Sequence, residues 1–180
     1  LKLAYSLNQN QLNVNYLVSN PGQNNLLFSV GAHPAFNVPL NPALQYNNYY
    51  LEFNQEQNFE VFPLNTEGQT HLDAIPLETN KNKLNLHKPL FYNDALVFKN
   101  LKGNQIVIKS DLDARTLTFG YEGFPYFGIW AAKDADFVCL EPWCGIADNL
   151  NHDLDFTQKE GINLLEPNGV FDRSWFVVCA

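Results

Sequence analysis

Methionine is absent from the 180 residues, and arginine occurs only at Arg115 and Arg173. So few guanidinium groups make the chain a poor candidate for gripping a phosphorylated ligand through an arginine fork. With 11 basic against 19 acidic residues the net charge is −8, which argues against nucleic acid or an anionic membrane surface as partner. Cysteine is scarce and odd in number (Cys139, Cys144, Cys179), with no CxxC pair. That excludes a disulfide framework and leads us to expect reduced thiols in a cytoplasmic protein. No apolar run approaches the roughly 20 residues of a membrane span, and the N-terminus lacks the basic-then-apolar design of a signal peptide. The four histidines, His33, His71, His87 and His152, show no HxH or HExxH spacing, and the cysteines show no zinc spacing, so no metal site is expected. No glycine-rich phosphate loop or GxSxG elbow is present. No window of 11 or more residues carries a 3.6-residue apolar period, which leaves little room for helices.

What is present is alternation. Leu1, Leu3, Tyr5 and Leu7 alternate with smaller or polar residues, Asn8-Gln9-Asn10 turns, and Leu12, Val14, Tyr16 and Val18 alternate again. This predicts a hairpin with one buried and one wet face. Asn20-Pro21-Gly22 predicts a second turn, and Leu26–Val30 a third strand leading into Gly31-Ala32-His33-Pro34. Short strands are expected at Tyr49–Phe53 and Phe59–Phe62, then loops from Thr66 to Pro89. Leu96–Phe98 and Gln105–Lys109 flank Gly103-Asn104, which reads as a hairpin turn. Strands are expected at Thr116–Tyr121, Tyr126–Trp130, Ile162–Leu165 and Val170–Val178. Apolar residues make up 46% of the chain, enough for one domain over residues 1–180 built as an all-β antiparallel sandwich. Leu1 already lies within the alternating pattern, so we expect an N-terminal portion of a longer chain to precede it.

Two stretches carry candidate chemistry. Phe137–Leu140 reads as a buried strand that delivers Glu141 and breaks on Pro142, leaving Trp143 and Gly145 in a loop. A carboxylate where a buried strand meets a loop suits catalysis, since the scaffold fixes it and the loop opens it. The simpler reading is a strand end facing water. His33 sits between Gly31 and Pro34, and its simpler reading is packing or capping. A histidine is also the natural general acid at neutral pH. Phe36, Tyr126, Trp130 and Trp143 lie near these two residues in sequence and could stack on a sugar ring, although core packing is the more frequent use of each. Asp111/Asp113, Asp134/Asp136 and Asp153/Asp155 are paired carboxylates without the calcium-loop pattern and read as solvated turns.

Gly31-Ala-His-Pro-Ala-Phe-Asn37, Glu122-Gly-Phe-Pro-Tyr-Phe-Gly-Ile-Trp130, Cys139-Leu-Glu-Pro-Trp-Cys-Gly-Ile-Ala-Asp148, Lys159-Glu-Gly-Ile162 and Leu165-Glu-Pro-Asn-Gly169 together resemble the aldose 1-epimerase (galactose mutarotase) family, in its LacX-like branch. The resemblance runs from Leu1 to the C-terminus in order. It implies an antiparallel β-supersandwich, with His33 as general acid and Glu141 as general base flanking one pocket. Asp94, in Phe91-Tyr-Asn-Asp-Ala-Leu96, is implied as a substrate-binding aspartate; Phe36, Tyr126 and Trp143 are expected as sugar contacts from their nearness to His33 and Glu141 in the sequence, not from the resemblance. The family's further sugar-contacting arginine and histidine fall upstream of Leu1. The implied reaction is interconversion of the anomers of a free hexose by ring opening and closure, in which each group regenerates itself and no cofactor is needed. A sugar-phosphate 1-epimerase and a non-catalytic carbohydrate-binding sandwich are the alternatives. Homodimerisation is compatible with these features but not specified by them.

Overall fold

The computed structural model describes all of residues 1–180. In chain order the strands are β1 (Lys2–Asn8), β2 (Gln11–Ser19), β3 (Leu26–Phe28), β4 (Val30–Gly31), β5 (Ala35–Asn37), β6 (Tyr50–Phe53), β7 (Glu60–Val61) and β8 (Ile75–Pro76). They continue as β9 (Lys83–Asn85), β10 (Leu96–Lys99), β11 (Gln105–Ser110), β12 (Asp113–Glu122), β13 (Tyr126–Trp130), β14 (Phe137–Cys144), β15 (Asn163–Leu165) and β16 (Val170–Cys179). Helical structure is limited to single 3-10 turns at Tyr46–Asn48, Lys88–Phe91 and Phe156–Gln158. Strand accounts for 47% of the residues and helix for 6%, so the fold is all-β, as the alternation requires. No helix is long and apolar enough to cross a membrane.

Two antiparallel sheets dominate. The larger runs β1-β2-β16-β12-β11-β6-β9, and the smaller runs β10-β13-β14-β4, with β5 also pairing β14. Period-two alternation points one face of each sheet at the other. Val14, Tyr16, Leu117, Phe119, Tyr121, Ile106, Ile108, Trp175 and Val177 come from the larger sheet; Phe98, Phe127, Ile129, Val138 and Leu140 come from the smaller. The seam is aromatic: Phe119 lies 6.1 Å from Phe127, and Tyr121 lies 4.5 Å from the same ring. Each such side chain contributes about 1.5–3 kcal/mol by leaving water.

Several elements depart from the sequence pattern. Gly103-Asn104 does not close a hairpin, because β10 pairs with β13 while β11 pairs with β12 and β6. The turn instead carries the chain from one sheet to the other. It packs on Asn54, whose Oδ1 accepts from the Asn104 and Gln105 N–H groups at 3.2 and 3.3 Å. The expected strand Leu26–Val30 is broken at Ser29, with β3 pairing β15 and β4 pairing β14. The stretch Thr66–Pro89 holds the short strands β8 and β9. The first hairpin forms, but β1 is exposed along its whole length. Leu3, Tyr5 and Leu7 extend the inner face of β2, opposite Tyr16, Val14 and Leu12, and are exposed at the edge of the sheet.

Candidate active site

Strand β14 does not stop at Pro142. It runs from Phe137 to Cys144, and Trp143 belongs to it rather than to a loop. The reason lies in the neighbouring chain. β4 pairs with β14 as Gly31 to Trp143, and β5 pairs with it as Ala35 to Cys139. One register therefore carries through both, and it sets Ala32 opposite Pro142, His33 opposite Glu141 and Pro34 opposite Leu140. Within it, Ala32 N–H donates to the Pro142 carbonyl at 3.0 Å, and Leu140 N–H donates to the Pro34 carbonyl at 3.2 Å. Each of these pairs would normally exchange two bonds, and each keeps one because it contains a proline. The ladder is thinned around His33 without losing register.

His33 and Glu141 thus form the non-hydrogen-bonded pair between two half-bonded ones, the position where facing side chains come closest. His33 Nε2 lies 3.3 Å from Glu141 Oε1; the histidine side chain is 61% exposed and the glutamate 5%. They touch side by side on one sheet face, rather than facing each other across an open gap. Burial pushes the Glu141 carboxyl above its ordinary pKa; the His33 charge and the Trp143 indole N–H oppose this, and the Asp94 charge adds to it.

The same face carries Trp143, two residues along β14. Gly31 and Gly128 form its floor. A Cβ on Gly31 would stand 2.7 Å from Trp143 Cδ1, and one on Gly128 would stand 2.5 Å from Cη2. Gly128 is directly opposite Glu141, so the indole fills the place of the missing side chain. Trp130 sets its ring against His33 in a T-shaped contact at 5.8 Å. Asp94 follows the 3-10 turn Lys88–Phe91 with φ 80°, and its Oδ1 accepts from the Ala95 N–H at 2.7 Å. Its charge is felt by Glu141. Tyr126 pairs with Trp143 and shares the face, one cross-strand pair further from Glu141, with its ring against Gly161.

Phe36 is not part of this assembly. It pairs with Val138 and so points through the sheet, where its ring meets Phe119 at 5.9 Å and borders an apolar cleft of 360 Å³. Sequence proximity to His33 suggested a sugar contact; strand parity sends the side chain to the opposite face.

Sequence reasoning overlooked Cys139. Lying two residues before Glu141, it shares the glutamate's face, and its Sγ joins His33 and Glu141 in a group whose ligand atoms all lie within 4.8 Å. Burial, and then the Glu141 charge, push its thiol up to about 12. The period-two rule applied to Cys139-Leu-Glu141 would have found it.

A cavity of 400 Å³ adjoins this face, lined by Gly31, Val97, Trp143, Leu64, Ile146 and Lys159 among others. A larger hollow of 880 Å³ lies beyond the other end of β14, between Asn37, Tyr46, Lys88 and Asp136, and contains neither member of the pair. Lys88 is already committed there, 2.5 Å from Asp136 and 4.0 Å from the Tyr46 ring centroid.

Two packed antiparallel sheets, one bearing a histidine–glutamate pair on its outer face, define a β-supersandwich of the galactose mutarotase type. The chain belongs to the aldose 1-epimerase family, whose sequence model matches residues 1–168. It is 28% identical over 181 residues to the chromosomal protein LacX of Lactococcus lactis subsp. lactis, a match covering 97% of this chain and 60% of LacX. Its fold is that of a galactose mutarotase related enzyme from Lactobacillus acidophilus, with TM-score 0.90 and 28% identity over 99% of this chain and 60% of that one. A galactose mutarotase-like protein from Lactobacillus casei shares the fold at TM-score 0.88 and 24% identity, over 99% of this chain and 62% of that one. The chain therefore spans about three fifths of the length of the curated relatives it matches.

Proposed function

We propose that His33 and Glu141 are the general acid and general base of an aldose 1-epimerase acting on a free hexose. The observation that carries this reading is the 3.3 Å contact between an exposed imidazole and a buried carboxylate. The anomeric hydroxyl and the ring oxygen are both bonded to C1, so two protein groups side by side can reach both. Ionised Glu141 takes the hydroxyl proton while protonated His33 gives a proton to the ring oxygen. The C1–O5 bond breaks and the free aldehyde forms. After rotation about C1–C2 the groups exchange roles: Glu141 returns its proton to the carbonyl oxygen, and His33 takes one from the 5-hydroxyl as the ring closes. Both groups end as they began. Trp143 offers an apolar plate beside Glu141, and Asp94 an acceptor for sugar hydroxyls.

A phosphorylated sugar is the poorer fit. Lys99 shares the sheet face but pairs with Glu160 at 2.6 Å, and Lys159, at the rim of the adjoining cavity, pairs with Asp148. Three free cysteines are in keeping with a reducing compartment such as the cytoplasm.

Polarimetry on freshly dissolved α-glucose or α-galactose tests the reading, using the full-length protein. Glu141→Gln keeps the shape and removes the base, and His33→Asn removes the acid. Each should slow anomerisation by about 10²–10⁴-fold, with little change in sugar binding. Mutants that turn over like the parent leave a carbohydrate-binding sandwich as the explanation. Activity confined to hexose 6-phosphates would preserve the reaction and overturn the substrate.

A further inference from the structure

We propose that His33, Cys139 and Glu141 also form a binding site for zinc, or a divalent cation of similar borderline softness, whose occupation blocks the acid/base pair. Three independent features of the backbone bring the donors together. The i, i+2 spacing on β14 puts Cys139 and Glu141 on one face. The cross-strand register puts His33 opposite Glu141. The residue opposite Cys139 is Ala35, whose single methyl leaves the sulfur uncrowded on that side.

The geometry suits a small tetrahedral ion. Zinc holds nitrogen and oxygen ligands at about 2.0–2.2 Å, which sets the edge between two such ligands at about 3.4 Å. His33 Nε2 and Glu141 Oε1 are 3.3 Å apart, already one edge of that tetrahedron. An edge to sulfur is about 3.6 Å, against an upper bound of 4.8 Å among these three donors, so Cys139 needs at most a small rotamer adjustment. Two of the donors are buried, while His33 is exposed and gives the ion a way in. A mixed nitrogen, sulfur and carboxylate set with one open corner favours zinc over calcium or magnesium, which prefer all-oxygen shells. On binding, the Cys139 thiol passes its proton to solvent as the sulfur–metal bond forms. The bound ion takes the His33 lone pair and the Glu141 carboxylate, so neither is left to move a sugar proton.

Cobalt(II) is the probe, because its thiolate complexes absorb in the near ultraviolet and its tetrahedral complexes in the visible. Titration of the metal-free chain should saturate at one equivalent with both bands, and zinc should displace the cobalt and bleach them. Cys139→Ala should abolish the near-ultraviolet band. His33→Asn, at a largely exposed side chain, should weaken binding by at least about tenfold. Cys179→Ser, at the one exposed cysteine, should leave the spectrum intact. A band that survives Cys139→Ala, a band that follows Cys179, unchanged affinity in His33→Asn, or no binding at all would each overturn the site. The absorbance reports metal and not turnover. Failure of the anomerisation reading therefore leaves this result untouched, and failure to bind cobalt leaves the anomerisation reading standing.

Discussion

Burial shifts Glu141 toward its neutral form relative to water, and this has a consequence for stability. Its folded pKa is raised by burial above the value of an unfolded glutamate. The folded chain therefore keeps that proton to higher pH than the unfolded chain does. Stability from this source is complete below the unfolded pKa and falls as pH rises through the folded one. Glu141→Gln cannot ionise and escapes the loss. Its melting temperature relative to the parent should climb as pH rises above about 4, near the value of a free glutamate; a constant or shrinking difference would contradict the burial argument. With Glu141 as the proposed base, which must be ionised to work, the same shift should place the acid limb of an anomerisation profile above the usual carboxylate range. Both residues were legible in the sequence as a carboxylate and a histidine at strand breaks. Their direct contact was not, since register between strands so distant in the chain is written in neither stretch alone. Phe36 was misread because nearness in sequence says nothing about which face of a strand a side chain occupies.

At the scale of the element, the two prolines beside the pair act by subtraction. Pro142→Ala supplies the missing donor opposite Ala32, worth about 0.5–1.5 kcal/mol net, and loosens the unfolded chain by about 0.4–1 kcal/mol. These oppose, so chemical denaturation should find the variant within about 1 kcal/mol of the parent, its sheet intact. Gly128→Ala should behave otherwise. The new methyl meets the Trp143 indole on its floor, and overpacking of this kind costs about 1–3 kcal/mol; tryptophan fluorescence should report the displaced ring. A parental spectrum and stability would show that the indole has somewhere else to go. Strands β12, β13 and β16 were readable because each keeps one wet and one dry side, or a dry run bounded by turn residues. β14 was readable only in its first half, since proline is an ordinary strand terminator and its tolerance here depends on a partner strand far earlier in the chain. The Gly103-Asn104 signal was a true turn with a false destination, because a turn sequence specifies a reversal and not which sheet receives the chain.

At the scale of the 180 residues together, β1 is an exposed edge. Leu3, Tyr5 and Leu7 line up on an exposed extension of the inner face, beside unpaired backbone groups, the arrangement that promotes edge-to-edge association. The isolated 180-residue chain should self-associate in sedimentation experiments. Leu3→Lys with Leu7→Lys should reduce that association and leave the thermal transition of the core within a few degrees, at about 2–4 °C per kcal/mol; association indifferent to both lysines would place the sticky surface elsewhere. The large sheet also has an order of assembly built into it. β16 lies between β2 and β12, with Trp175 Nε1–H donating to the Tyr16 hydroxyl 159 positions away at 3.1 Å. On a translating ribosome the first hairpin must therefore wait, one side unpartnered, until nearly all of this sequence has emerged. Topologies dominated by such distant pairings fold in milliseconds to seconds or more slowly, and stopped-flow refolding should find this one at the slow end. During that wait the side of β2 that β16 will cover stays exposed, so nascent chains are the stage at which a chaperone has most to protect.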